Sequence, residues 1–316
     1  MQFFLVPGFS MMALSAAVEP LRALNRREGR KVYDWWLVAR TAGVVTASNG
    51  FDLTASFGIA EAPRAERTIV VASLGIEGYR DAQVLEWLRQ RRRAEGGIGA
   101  ISNGALLLAR TGLLDGHRAT IHWEMQRQLA EDFPEIEVVP DLYCQDRGIL
   151  TAAGGTASMD LMLSMIAEHH GTEAAADVAD QFLHGAIRAP GVTQRPDLRW
   201  RFQVTDRRIL MAIQLMEEHV DHPLKVSKIA DFAGISERQL ERLFEAKFGL
   251  GPSEFYKKIR LKAAHAMVLN STHRLLEISD LCGFSSLAHF SQAFKAEYGV
   301  SPSVLRRGGR RAMAES

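Results

Sequence analysis

The stretch from Ile278 to Pro302, ISDLCGFSSLAHFSQAFKAEYGVSP, decides how the C-terminal third of the chain is read. Leu281, Phe290, Phe294 and Tyr298 recur at three- and four-residue spacing, while Ser286, His289, Gln292 and Lys295 fall elsewhere on the same helix. Two helices meeting at a glycine turn, the second with a polar face that no core needs, form a helix-turn-helix pattern.

An earlier stretch repeats it. Val226 to Gly234 (VSKIADFAG) predicts a short helix with Ile229, Ala230 and Phe232; Gly234 and Ile235 make the turn, and Ser236 can cap the next helix. That helix, SERQLERLFEAKFG, places Leu240, Leu243, Phe244 and Phe248 inward and Arg238, Gln239, Glu241, Arg242 and Glu245 outward. Both units close alike, as KFGLGPSEF at Lys247 to Phe255 and EYGVSPSVL at Glu297 to Leu305. The copies lie about 50 residues apart, a period that can itself signal a repeat. Between them Phe255 to Leu269 has helical periodicity and no breaker, so a helix there can hold the two units in fixed relation. An all-helical domain with no nucleic-acid partner is the plainer alternative, but it does not require duplicated glycine-turned units with outward basic and amide groups.

From roughly Asp206 to Leu305 the chain resembles the AraC/XylS family of bacterial transcription regulators, most specifically in the CGF, HFSQAFK and GVSP elements. The resemblance implies an all-α DNA-binding domain, two helix-turn-helix units joined by a central helix. It also implies double-stranded DNA as a partner, RNA polymerase as a further one, and activation more than repression.

The length of 316 residues is enough for two domains with full cores, and 47% hydrophobic with 24% charged residues is ordinary for a soluble protein. No apolar run approaches membrane-spanning length, and MQFFLVPG lacks a basic leader, so a cytoplasmic location and no membrane partner are expected. Two cysteines, Cys144 and Cys282, argue against a disulfide framework or a cysteine metal site. The net charge of +1 hides an asymmetry: residues 201 to 316 hold 18 Lys and Arg against 13 Asp and Glu, leaving 20 against 24 in residues 1 to 200. A basic C-terminal part suits phosphate contact by one domain only. Arg306 and, in a basic tail at 307–316, Arg307, Arg310 and Arg311 supply much of the excess.

The N-terminal half alternates strand and helix signals. Gln2 to Val6, Asp34 to Ala39, Thr68 to Ala72 and Gly97 to Ile101 read as strands; the stretch after Ser10 through Arg26, Asp81 to Arg93 and Gly104 to Arg110 read as helices. The order predicts an α/β sandwich of flavodoxin-like type with a mostly parallel sheet, whose ligand site lies at the carboxyl ends of the strands. At Ile98 to Ala105, IGAISNGA, a strand, one residue at a sharp turn, then glycine and a helix form the arrangement that exposes a nucleophile above a sheet. Ser102 holds the turn, one glycine short of G-x-S-x-G, with Asn103 beside it.

Through PGFSMMAL, VEPLRALN, SNG, LLDGHRATIHWE and AGGTASMDLML, from about Phe3 to Gly185, this half resembles the intracellular protease and class I glutamine amidotransferase-like superfamily, in the GlxA-type branch fused to AraC-type domains. In enzymatic relatives the turn residue is cysteine, with a downstream histidine and an acidic residue from the first helix; the matching positions here are Ser102, His122 and Glu19. A serine hydroxyl needs a placed base and an oxyanion hole where a low-pKa thiol does not. The expectation is therefore a retired catalytic pocket, Glu19, Ser102, Asn103, His122 and Trp123, that binds a small effector; no catalytic residue, no metal and no cofactor are expected. A Ser-dependent amidase with a DNA-binding tail is the alternative. A third reading has Ser102 as a helix cap and Glu19 paired with Arg22.

The expected layout is a ligand-sensing and dimerisation domain at 1–186, an exposed linker at 187–205 that carries the signal, and a DNA-binding domain at 206–306. The resemblance implies a homodimer. The stripe Met159, Met162 and Met165 fits adaptable packing better than a ligand cleft, and His169-His170 point too far apart to share a zinc. On DNA, Arg238, Gln239, Arg242, Ser286, His289 and Gln292 are the expected base readers, the first copy supplying more specificity, and Lys247, Lys257 and Lys295 the phosphate contacts. Relatives sharing VEPLRALN and TIHWE imply an effector that is a small nitrogenous compound, betaine-, carnitine- or amino-acid-like. Glu19, Trp123 and Glu124 would offer it charge and an aromatic face.

Overall fold

The computed structural model describes residues 1–194, 198–271 and 273–314, and the chain divides into two units, Met1–Arg195 and Pro196–Ser316. The first unit runs β1 (Gln2–Leu5), α1 (Met11–Glu28), β2 (Trp36–Ala39), β3 (Gly43–Thr46), β4 (Asp52–Ala55), β5 (Phe57–Gly58), β6 (Arg67–Ala72), α2 (Ala82–Glu95), β7 (Gly97–Ser102), α3 (Gly104–Ala109), β8 (Arg118–Ala119), α4 (Gln126–Asp132), β9 (Glu137–Val138), β10 (Tyr143–Asp146), β11 (Ile149–Ala152), α5 (Ala157–His170) and α6 (Thr172–Gln181). Its seven-stranded sheet has the order β10-β11-β7-β6-β1-β2-β5, antiparallel only at β10–β11. Alternate side chains serve opposite faces: Phe3, Leu5, Ile69 and Val71 pack with α1 and α5, and Phe4, Val6, Val70 and Ala72 with α2 and α3. Each buried Phe or Leu contributes about 1.5–3 kcal/mol. This is the expected flavodoxin-like sandwich, and Met162 and Met165 lie in its core. The β10–β11 hairpin is an addition. Its turn residues Arg147 and Gly148 both have positive φ, which suits the strand twist, but an arginine there carries none of the usual Asn-Gly signal.

The second unit is helical: α7 (Leu198–Phe202), α8 (Arg207–Glu218), α9 (Val226–Phe232), α10 (Glu237–Phe248), α11 (Pro252–Asn270), α12 (Leu275–Leu281), α13 (Leu287–Tyr298) and α14 (Pro302–Ala314). It has two cores, and α11 serves both. Phe255 and Tyr256 join Ile213, Ile229, Leu240 and Phe244; Leu261, Ala264 and Val268 join Ile278, Cys282, Phe290 and Phe294. Farther along α11, Arg260 donates to the Gly283 carbonyl at 2.9 Å and lies over the rings of Phe284 and Tyr256. Lys258 pairs with Glu297 at 3.1 Å. The central helix thus fixes the two helix-turn-helix units to each other.

Two of the expected segments hold contacts that their own residues do not announce. Most of the linker expected at 187–205 is fastened down: Arg188 and Gln194 bond back onto the first unit, and Leu198 and Phe202 of α7 pack on the first helical core. These arginines look solvated in the sequence because their carboxylate partners, Asp160 for Arg188 and Glu217 for Arg201, are distant in the chain. Residues 195–197 of that linker lie outside the described residues. In the basic tail expected at 307–316 the chain continues as α14, and just before that tail Arg306 donates to the Val268 carbonyl in the last turn of α11 and to the His273 carbonyl beyond that helix. The side chains of Arg310 and Arg311 lie outside the described residues.

Gly283 has φ +69, and a Cβ there would sit 2.4 Å from Pro223 Cγ and 2.8 Å from the Val220 carbonyl oxygen. Gly299 is equally left-handed but has nothing within 4 Å. Gly283→Ala should therefore destabilise the second unit by about 2–4 kcal/mol and Gly299→Ala by only about 1 kcal/mol in urea unfolding. Equal losses would show that the Pro223 contact yields freely.

Candidate ligand pocket and nucleic-acid interface

β7 ends directly in the sharp turn. Ser102 has φ 57, a left-handed conformation that costs a non-glycine residue about 1–3 kcal/mol. The turn is held from several sides. The Asn103 amide donates to the Ala72 carbonyl and its Nδ2 to that of Ser73. Gly104 has no room for a side chain, because a Cβ would lie 2.6 Å from the Val70 carbonyl oxygen. Gly154, just after β11, lies against Ser102: a Cβ there would sit 2.7 Å from Ser102 Cβ and 3.0 Å from its Oγ. The glycine pair of AGGTAS is thus part of the turn's wall. Asn103 Oδ1 is buried without a partner among the described residues.

The residues expected to complete a triad are engaged elsewhere. Glu19 accepts from Arg22 Nε at 2.7 Å on the same helix, matching the third reading of that residue. His122 lies 3.6 Å from Glu124 through Nδ1, with its ring 5.6 Å from that of Trp123. Burial lowers the His122 pKa and Glu124 partly offsets this. Among the described residues no hydrogen bond joins Ser102 Oγ to His122, whose Nδ1 faces Glu124. Sequence reasoning missed Glu77, in the loop after β6. Its carboxyl is 6% exposed, has an unpartnered Oε1 among the described residues, and is pushed up to about 7 by burial, despite Arg110 nearby. Arg110 binds that loop through the carbonyls of Ile76, Glu77 and Tyr79.

In the second unit both turn-and-helix copies have the anticipated local chemistry. Gly234 and Gly283 are left-handed in the turns, Ser236 and Ser286 cap α10 and α13, and Gly249 and Gly299 end them. Arg238 and Arg242 are exposed, one turn apart, and free of ion pairs among the described residues; they line a groove of ≈ 690 Å³ with Ser236, Gln239, Glu241 and Glu245. His289, Gln292 and Lys295 are exposed on α13 and Lys257 is half-buried on α11. Three side chains are less free than the sequence suggested. Gln239 Oε1 accepts from the Ser236 amide in a capping box, Ser286 Oγ accepts from the His289 amide, and Lys247 Nζ donates to the Gln203 carbonyl at 2.6 Å.

The raised pKa of Glu77 has a stability consequence. Its folded value of about 7 exceeds the ordinary 4.5, so the fold favours the neutral acid. That stabilisation is complete below the unfolded value and is lost as pH rises through about 7. Compared with Glu77→Gln, the parent chain should lose up to about 3 kcal/mol between pH 5 and 8 in urea unfolding. Parallel pH profiles of the two proteins would remove Glu77 as the cause.

Residues 3–168 match the DJ-1/PfpI family and residues 229–308 match the helix-turn-helix domain family. The HTH-type transcriptional regulator CdhR of Pseudomonas aeruginosa is 38% identical over 306 residues, which is 96% of this chain and 90% of CdhR. GlxA of Rhizobium meliloti, also an HTH-type transcriptional regulator, is 37% identical over 306 residues, 96% of this chain and 94% of GlxA. The crystal structure of an AraC family transcriptional regulator from Pseudomonas putida is similar at a TM-score of 0.52 and 26% identity, over 57% of this chain and 97% of that one. Among the described residues no helix is long and apolar enough to cross a membrane. With both halves matched and its relatives aligned nearly end to end, the chain belongs to the HTH-type transcriptional regulators that join a DJ-1/PfpI domain to an AraC-type DNA-binding domain, and it is a regulator rather than an enzyme.

Proposed function

We propose that this regulator activates catabolic genes for a small nitrogenous compound, betaine-, carnitine- or amino-acid-like, which it senses at the Ser102 turn. The observation that carries the DNA side is Arg238 and Arg242, exposed, one turn apart on α10 and without an ion pair among the described residues. Arginine matches the paired acceptors of guanine, and that spacing lets two side chains reach neighbouring base edges. Gln239, Ser286, His289 and Gln292 act as secondary readers; for Gln239 and Ser286 this means giving up or sharing their capping bonds. Lys247, Lys257 and Lys295 meet phosphate, the first with the N–H groups left over from Gln203. The chain works as a homodimer and recruits RNA polymerase.

The ligand side rests on the crowded Ser102 turn and on the His122, Trp123 and Glu124 segment, which offers an aromatic face and a carboxylate to a cation. Glu19, bound to Arg22, takes part only by exchanging that partner.

On an operator selected from random duplexes by the full chain, Arg242→Ala should cost about 1–3 kcal/mol and relax preference at one base position. Lys295→Ala should instead weaken binding to every sequence alike and lower the salt slope by about 1. Fluorescence anisotropy on single-base operator variants checks both; equal losses on operator and random DNA would strike Arg242 from the readers. In a thermal-shift screen, glycine betaine, carnitine or arginine should raise the midpoint by roughly 5 °C at saturating concentration, and Trp123→Ala should abolish the rise. No response to any of the three would overturn the ligand class.

A further inference from the structure

The loop between β6 and α2 leaves the sheet at the carboxyl ends of its strands, beside the Ser102 turn: Ala72, the last residue of β6, is in register with Ser102. Hydrogen bonds then tie the loop to both ends of α3. At the start of that helix the Asn103 amide donates to the Ala72 carbonyl at 3.2 Å and Asn103 Nδ2 to the Ser73 carbonyl at 3.1 Å. At its end the Arg110 guanidinium donates to the Ile76, Glu77 and Tyr79 carbonyls at 2.7, 2.9 and 2.8 Å. The Leu74 carbonyl oxygen in turn presses on Gly8, just past β1, where a Cβ would lie 2.8 Å away. Side chains that this loop buries are therefore placed by the fold, next to the turn.

Two of the buried side chains in this arrangement lack a donor. Glu77 is 6% and Asn103 7% exposed, and among the described residues neither Glu77 Oε1 nor Asn103 Oδ1 has a hydrogen-bond partner. Arg110 is the nearby cation, but its Nη1 and Nη2 are directed at the loop carbonyls and not at the Glu77 carboxyl. Folded proteins pair nearly all of their buried polar atoms. Two oxygens left over on segments that are bonded to each other, at the carboxyl ends of a parallel sheet, point to a polar partner that arrives from outside the chain.

We propose that Glu77 and Asn103 form the hydrogen-bond-accepting side of the effector site, and that the effector carries N–H groups, as a primary or secondary ammonium or a guanidinium does and a quaternary ammonium does not. This rests on the reading of the Ser102 turn as the effector site, and within that reading it selects amino-acid-like compounds over betaine- and carnitine-like ones. An N–H donor satisfies the Asn103 oxygen, which can only accept. The positive charge on the same group compensates the Glu77 carboxylate in a place where burial otherwise favours the neutral acid. A quaternary ammonium presents only methyl groups: it would leave both oxygens without a donor and shut them off from water. A site that is built to hydrogen-bond a ligand rejects the analogue that lacks the bond, so Glu77 and Asn103 act as much against the methylated cation as for the protonated one.

Probes matched in carboxylate and in charge isolate the N–H groups: glycine, sarcosine, N,N-dimethylglycine and glycine betaine differ only in the methylation of the ammonium, and arginine against carnitine gives a second comparison. In thermal-shift titrations of the full chain, arginine or the N–H-bearing members of the glycine set should reach half-saturation at a concentration roughly tenfold or more below that of glycine betaine or carnitine. Glu77→Gln, which keeps the shape and removes the charge, should weaken the N–H-bearing probes by roughly tenfold. Glu131→Gln, which opens an exposed pair with Arg127 in the same unit, should not. Should Glu77→Gln fail to fold, Glu77→Leu, apolar and of similar volume, serves in the same comparison. Glycine betaine or carnitine binding as tightly as any N–H-bearing probe, or N–H-bearing probes that bind the Glu77 variant as well as the parent chain, overturns the proposal while the site keeps its effector role. Failure of the pocket reading looks different: no probe of either set moves the midpoint, and the proposal falls with it.

Discussion

The Arg260 guanidinium, half-sunk between the rings of Tyr256 and Phe284 and bonded to the Gly283 carbonyl, is the contact on which the geometry of the DNA-binding unit depends. Tyr256 belongs to the first helical core and Phe284 to the second, so one side chain bridges both halves. Burial lowers the Arg260 pKa, yet an arginine starts high enough to stay charged, whereas a lysine in the same place would tend to give up its proton. With Gly283 pressed against Pro223 and Lys258 paired with Glu297, α10 and α13 are held at one separation. On the reading proposed above, two such helices in a fixed frame address only DNA whose groove segments match that frame.

The first unit has its own point of constraint in the Ser102 turn. A left-handed serine is tolerated because Gly104 lets the helix approach β6 and Gly154 leaves space for the Ser102 side chain. The fold therefore keeps the strained turn that acyl-transfer chemistry uses, while His122 sits with Glu124 and Glu19 with Arg22 instead of forming a relay to the hydroxyl. What remains is a rigid, crowded point at the carboxyl ends of the strands, with a buried Asn103 oxygen beside it. That combination is what the proposed effector site rests on.

Polar side chains on the reading helices divide between holding the helix and facing outward. Ser236 and Gln239 close the start of α10 on themselves, and Ser286 does the same for α13, because the first amides of any helix lack internal partners. Arg238, between the two capping residues, and Arg242, one turn on, make neither of those capping bonds. The asymmetry between the copies, arginines in one and His289 and Gln292 in the other, is written in the sequence; the loss of Gln239 and Ser286 to capping is not, since the same residue types serve both purposes.

The repeat of glycine-turned helices, the strand-turn-helix at Ile98–Ala105 and the alternation of strand and helix signals along the first half made the two folds legible, because each depends on periodicity or on a residue type that a local conformation demands. The β10–β11 hairpin escaped because its turn carries arginine where the usual signal is Asn or Asp. The segment 187–205 looked like a solvated linker because nothing in its own residues reveals Asp160 and Glu217 as partners. By itself the sequence determined the two fold classes, the elbow at Ser102 and the outward arginines of α10. Only the tertiary structure decided that His122 pairs with Glu124 and Glu19 with Arg22, that Glu77 is a buried acid, and that Arg188 and Gln194 tie the end of the first unit to Asp160 of α5 and to the Ile121 carbonyl. The physical reason is range: helix periods and turns are set by neighbours a few residues away, whereas burial and ion pairing depend on which distant segments the packed cores bring into contact.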